Sequence, residues 1–79
     1  MDRFTSLAVL VSAIEQGSLA GAARARGMTP AMAGKHVAAL EAALGVRLLH
    51  RTTRKLQPTE AGREYGERAR AVQIGRAHV

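Results

Sequence analysis

The stretch Arg26-Gly27-Met28-Thr29-Pro30 most narrowly limits what this chain can fold into. Glycine at 27 suits the left-handed residue that closes a helix. Thr29 is a good N-cap, and Pro30 takes the first helical position, where its missing N–H is harmless. One helix must stop and the next must start between Gly27 and Pro30, so the two are forced into a tight, close crossing. Ala20, Gly21, Ala22 and Ala23 supply small side chains for that approach. Gly21 weakens its helix by up to about 1 kcal/mol relative to alanine, and close packing is the compensation. Ala23 and Gly27 have the spacing of a crossing point followed by a turn former.

The remaining elements follow from similar signals. Asp2 suits the N-cap of a first helix in which Phe4, Leu7, Val11 and Ile14 recur at spacings of three and four, with Gly17 as its stop. Ser18 caps the second helix, over residues 19–26. The third runs over 30–44, with Met32, Val37, Leu40 and Leu44 as its inward stripe, Lys35 and His36 facing outward, Gly34 as a mild defect and Gly45 as its end. Val46, Leu48 and Leu56 fit two short strands with His50 to Lys55 as the turn between them, the second arm stopping at Pro58. Thr59 caps a last helix whose stripe of Ala61, Tyr65, Ala69 and Val72 either meets a partner helix or is the tail of a core helix. Residues 74–79, "IGRAHV", are what ATC GGA AGA GCA CAC GTC TGA encodes, a string from a common sequencing adapter. They are expected to be a non-native tail, with the natural chain continuing past Gln73.

A chain of 79 residues makes one small domain that buries only about 60–65% of its unfolded surface. Cysteine is absent, and the histidines at 36, 50 and 78 have no metal-site spacing, so no metal is expected. The apolar run "LAVLV" is too short to span a bilayer and no signal peptide opens the chain, which leads to the expectation of a cytoplasmic protein without a membrane partner. The six acidic residues are scattered and no nucleophile stands beside a base, so neither an enzyme nor a cofactor is expected.

Charge is the informative quantity. Residues 24–55 hold seven basic side chains (Arg24, Arg26, Lys35, Arg47, Arg51, Arg54, Lys55) against one acid, Glu41, while the rest of the chain balances to zero. A localised excess of this kind suits a polyanion, most often nucleic acid; the other reading is a solubilising face. Two short helices joined by a glycine turn describe a helix-turn-helix, and a following hairpin makes it a winged one. The expected fold is mainly α: a three-helix core, a short two-stranded wing and a further helix. In it Arg51, Arg54 and Lys55 share a wing tip, where each faces a phosphate or the minor groove, and Thr52 and Thr53 donate to phosphate oxygens.

The run "GSLAGAARARGMTPAMAGKHVAALEAALGVRLLHRTTRKLQPTEAG" closely resembles the DNA-binding domain of LysR-type transcriptional regulators, a resemblance that covers Met1 to about Gln73. It implies a winged helix-turn-helix over 1–58 and makes the further helix, over 59–73, the start of a linker helix for dimerisation. The family's recognition helix commonly reads Ser-Gln-Pro-Ala-Val-Ser-Arg-Gln-Ile, which aligns with Thr29 to Val37. By this alignment Thr29 touches a phosphate, Pro30 replaces a base-reading Gln, Gly34 replaces a polar contact, Lys35 stands for Arg, and His36 replaces Gln and reaches a base edge. Arg51 and Arg54 match the family's wing arginines.

Several readings stay open. His36 is otherwise a plain surface residue. Arg51 is otherwise an ion-pair partner of Glu41. Arg24 and Arg26 are backbone clamps or solvated residues, and Lys55 and Arg47 contribute general field charge. The resemblance also implies double-stranded DNA as partner, a nucleoid-associated location, a homodimer in the full-length parent, and a small-molecule effector bound by a C-terminal domain that is not in this chain. A winged helix serving protein interaction, with an exposed apolar patch, is the rival reading.

Overall fold

The structure, a computed structural model, describes residues 2–50 and 56–77, with side chains through residue 71 in the last helix. Four helices and one ribbon follow in the order α1 (Arg3–Gln16), α2 (Leu19–Arg26), α3 (Pro30–Leu44), β1 (Leu49–His50), β2 (Gln57–Pro58) and α4 (Glu60–Ala77). The chain is a winged helix-turn-helix. β1 and β2 pair antiparallel, Leu49 opposite Pro58 and His50 opposite Gln57. Arg51–Lys55, the expected wing tip, lies outside the described residues.

The caps act where the sequence places them. Asp2 accepts from the N–H groups of Phe4 and Thr5 and from the Thr5 hydroxyl at 2.7 Å. The Thr5 hydroxyl is the main cause that holds the Asp2 carboxyl below its ordinary value of 3.8, with the two N–H groups adding to it. The cap is therefore at full strength above that pH and weakens as the pH falls through the lower folded-state value. Ser18 accepts from Gly21 N–H at 2.9 Å and Thr29 from Met32 N–H at 3.2 Å. Gly17, Gly27 and Gly45 all take left-handed backbone, at φ 74, 70 and 71, and close α1, α2 and α3.

The core lies where α1, α2, α3 and the residues entering β1 meet: Val9, Leu10, Ala23, Ala33, Val37, Leu40, Leu48 and Leu49 form one buried cluster. Ala22 and Ala23 are fully covered, as expected at the crossing, and a Cβ on Gly21 would lie 2.7 Å from the Gln16 Cβ. Two expected stripes need rotating. In α1 the deepest residues are Val9, Leu10 and Ala13, whereas Phe4 is 44% exposed. In α3 Ala33 takes the inward place given to Met32, which is 42% exposed. Val46, expected in a strand, precedes β1 and is 41% exposed, while His50, expected in the turn, pairs within β1.

The stripe of α4 turns toward the chain's own core over its described part. Ala61 and Tyr65 pack against the buried cluster and Ala69 is buried. Gly62 and Gly66, one turn apart, let the helix come in close. A Cβ on Gly66 would meet Ile14 Cδ1 of α1 at 2.9 Å, and one on Gly62 would collide with the carbonyl of Leu48. Thr59 fastens the same corner: its N–H donates to Leu48 O, and its hydroxyl donates to Arg47 O and accepts from Gly62 N–H.

Gly34 differs from these glycines. A Cβ there would find its nearest neighbour, Leu19 Cδ1, only at 4.0 Å. Gly34→Ala is therefore expected to raise stability by about 0.5–1 kcal/mol through helix propensity alone, read as a higher urea midpoint at unchanged slope.

Candidate nucleic-acid interface

The turn between α2 and α3 sets the outer surface of α3. Gly27 N–H reaches Arg24 O, and Met28 N–H donates to Ala23 O at 2.9 Å, which closes α2 and starts the turn toward Thr29. Ala33, Val37 and Leu40 are buried, and the rest of the α3 surface faces solvent. Ala31, Lys35 and Ala38 are exposed on the side away from the core, Met32 is exposed on its flank, and Thr29 and Pro30 are exposed at the N-terminal end. Thr29 keeps an outward position while its hydroxyl oxygen caps the helix. Lys35 stands on the outer face as expected. Gly34 is half-buried on the side toward α2, where Leu19 is its neighbour.

His36 does not face outward. It is 8% exposed, and its Nδ1 lies 3.0 Å from the hydroxyl of Ser6, itself buried in α1. The reason is helical geometry: His36 lies three residues after Ala33 and four before Leu40, so it shares their buried face. A buried imidazole needs a polar partner, and Ser6 provides one. The side chain expected to reach a base edge instead fastens α3 to α1.

Other basic residues of the central segment are exposed as well. Arg24 and Arg26 are exposed in the last turn of α2, where positive charge also suits the helix dipole. Arg47 is exposed just before Leu48. Arg51, Thr52, Thr53 and Arg54 lie outside the described residues, as does any contact between Arg51 and Glu41. Glu41 itself has a clear role: its Oε2 accepts from Leu48 N–H at 2.8 Å and from Leu49 N–H at 3.3 Å, joining α3 to the start of β1.

Met32 is the residue of this surface that sequence reading misplaced. The signal was available, because the step from Met32 to Val37 is five residues, about 140° around a helix. The stripe Ala33, Val37, Leu40, Leu44 keeps the four, three, four rhythm without it. Nor does the core consume every apolar residue, since Phe4, Met32 and Val46 are all more than 40% exposed. Among the described residues no helix is long and apolar enough to cross a membrane.

Comparison with known proteins agrees with this fold. An uncharacterised HTH-type transcriptional regulator of Haemophilus influenzae is 42% identical over 72 residues, which cover 91% of this chain and 25% of that protein. An HTH-type transcriptional repressor of Pseudomonas aeruginosa is 40% identical over 72 residues, covering 91% of this chain and 23% of its own length. The chain thus spans about a quarter of the length of these curated relatives. Among solved structures, the CbnR DNA-binding domain in its DNA complex superposes with a TM-score of 0.84 at 34% identity, over 99% of this chain and 91% of that one. Full-length LysG from Corynebacterium glutamicum gives 0.88 at 33% identity, over 95% of this chain and 26% of its own. The BenM DNA-binding domain in its catB site 1 complex gives 0.91 at 23% identity, a likeness of fold alone. The model of bacterial regulatory helix-turn-helix proteins of the lysR family matches residues 4–63, and this chain belongs to that family.

Proposed function

We propose that this chain is the DNA-binding part of a bacterial transcription regulator, with the outer face of α3 in the major groove and the residues between β1 and β2 against backbone or minor groove. The observation that carries the reading is the exposed, acid-free outer face of α3, with Lys35 on it, inside the segment that holds all of the chain's net charge. Thr29 and Pro30 stand at the end of α3 that enters the groove, and Lys35 binds a phosphate or a guanine. Gly34, set toward α2, brings the backbone rather than a side chain near the DNA. Arg51, Thr52, Thr53 and Arg54 serve as the wing contacts. His36 acts indirectly, by fixing α3 against α1.

The CbnR domain, 34% identical, was solved with DNA, which supports the same partner here. LysG of Corynebacterium glutamicum was solved with a bound effector. In the full-length parent of this chain we assign effector binding to a further domain, dimerisation to the extension of α4, and the cytoplasm as the place of action. The role is binding, not catalysis.

Titration against random duplex DNA at two salt concentrations tests the reading. Affinity is expected to fall steeply with salt, with a log–log slope of about −0.9 for each phosphate neutralised. Lys35→Ala is expected to weaken binding on every sequence and reduce that slope by about one phosphate contact. An unchanged slope would place Lys35 off the DNA. The half-exposed Phe4, Met32 and Val46 favour a second reading, a protein-interaction module, and absence of binding at low salt would select it.

A further inference from the structure

The face that α3 offers to the major groove is nearly bare of hydrogen-bonding groups. Its exposed residues from Pro30 to Ala42 are Pro30, Ala31, Met32, Lys35, Ala38 and Ala42, and of these side chains only that of Lys35 carries a polar atom. His36, the other polar candidate on the helix, is turned to Ser6, and Glu41 is turned to Leu48 and Leu49. A face so built reads little of the paired donors and acceptors of adenine or guanine edges, apart from what the Lys35 ammonium and, at the N-terminal edge, the Thr29 hydroxyl do. The major groove does carry one apolar feature, the 5-methyl group of thymine.

Met32 is placed for that feature. It is 42% exposed and lies in the first turn of α3, the end whose residues reach base edges when a recognition helix docks. Lys35 follows three residues later, on the neighbouring part of the surface, so a methyl contact and a charged contact are made together. The unbranched thioether adapts its shape to a flat, stepped partner at little cost. Charge argues for DNA as the occupant, not a second protein: the face carries a cation and no acid, within the segment that holds the net positive charge.

We propose that Met32 contacts pyrimidine 5-methyl groups in the major groove, so that this chain selects thymine-bearing steps through apolar contact instead of an amide or guanidinium code. The inference rests on the reading of α3 as a major-groove helix. It makes Met32 a specificity-determining residue, and it makes the selectivity depend on a group that uracil lacks although uracil pairs identically.

The test is a competition. The 79-residue chain, in limiting amount and at low salt, is mixed with equal quantities of two random duplex pools, one synthesised with thymine and the other with uracil, and the retained DNA is counted. Removing a contacted methyl is expected to cost about fourfold in affinity, so the wild type should retain the thymine pool about fourfold or more over the uracil pool. Met32→Ala and the equally long Met32→Gln should retain both pools about equally, at the wild-type melting temperature. A wild type indifferent to the methyl, or the same preference in all three proteins, would overturn the inference while leaving DNA binding intact. Retention of neither pool would instead remove the DNA reading on which it rests.

Discussion

Gly62→Ala is expected to unfold the chain or come close to it. The added Cβ would overlap the Leu48 carbonyl, lying 2.8 Å from its carbon and 3.1 Å from the Leu48 Cα. These are backbone atoms, and they cannot swing away as a side-chain tip can. Leu48 O also accepts from Thr59 N–H at 3.0 Å, and the Leu48 side chain is fully buried, so the segment entering β1 cannot retreat without breaking that bond and opening the core. Overpacking costs about 1–3 kcal/mol even in a core of flexible side chains, and rigid backbone places this case at or above the upper end. A domain of this length holds roughly 4–12 kcal/mol in all. Urea unfolding followed by circular dichroism measures the loss. Gly34→Ala provides the control, because the same methyl in open space is expected to shift the midpoint the other way. A Gly62→Ala protein as stable as the wild type would mean that α4 does not press on Leu48 as described.

Glu41→Ala is the second large effect. The Glu41 carboxylate accepts two backbone N–H groups, those of Leu48 and Leu49, whose side chains are both fully buried. Hydrogen bonds to a charged acceptor are the stronger kind, and a buried donor left without a partner carries its full desolvation penalty. The expected loss is about 2–4 kcal/mol. Glu41→Gln keeps an acceptor oxygen and is expected to lose about 1 kcal/mol. Simple electrostatics makes the opposite forecast for function, because deleting the one acid of a basic segment should tighten DNA binding. Measuring affinity and unfolding on both variants separates the two effects. Unchanged stability in Glu41→Ala would show that water replaces the carboxylate.

Much of this fold could be read residue by residue. The helix-turn-helix followed from Gly27, Thr29 and Pro30 because caps and left-handed stops are local events decided within a turn of chain. The bounds of α2 and α3 agree with that reading at every end. What failed was the rotation of the helices. Taking Met32 as inward and His36 as outward followed polarity, whereas spacing places Ala33, His36, Val37 and Leu40 on one face. Polarity misled because the partner that makes a buried imidazole acceptable, Ser6, lies thirty residues away in sequence. The Glu41 link to Leu48 and Leu49 was likewise out of reach, since a carboxylate aimed at backbone N–H groups has no signature in residue type. The motif Thr59-Glu60-Ala61-Gly62 could be recognised without its reason being visible, because the need for glycine at 62 arises from the Leu48 backbone, which only the folded chain brings alongside.

The corner where Gly62 meets Leu48 also has a mechanical meaning. The first turn of α4 rests on the carbonyl just ahead of β1, and Thr59 pins that turn to Arg47 and Leu48 from the other side. Ribbon and helix therefore move as one lever with no slack at the fulcrum. Because Glu41 also holds the N–H groups of Leu48 and Leu49, a twist applied along α4 would be carried through this corner toward α3 and not be absorbed within the ribbon.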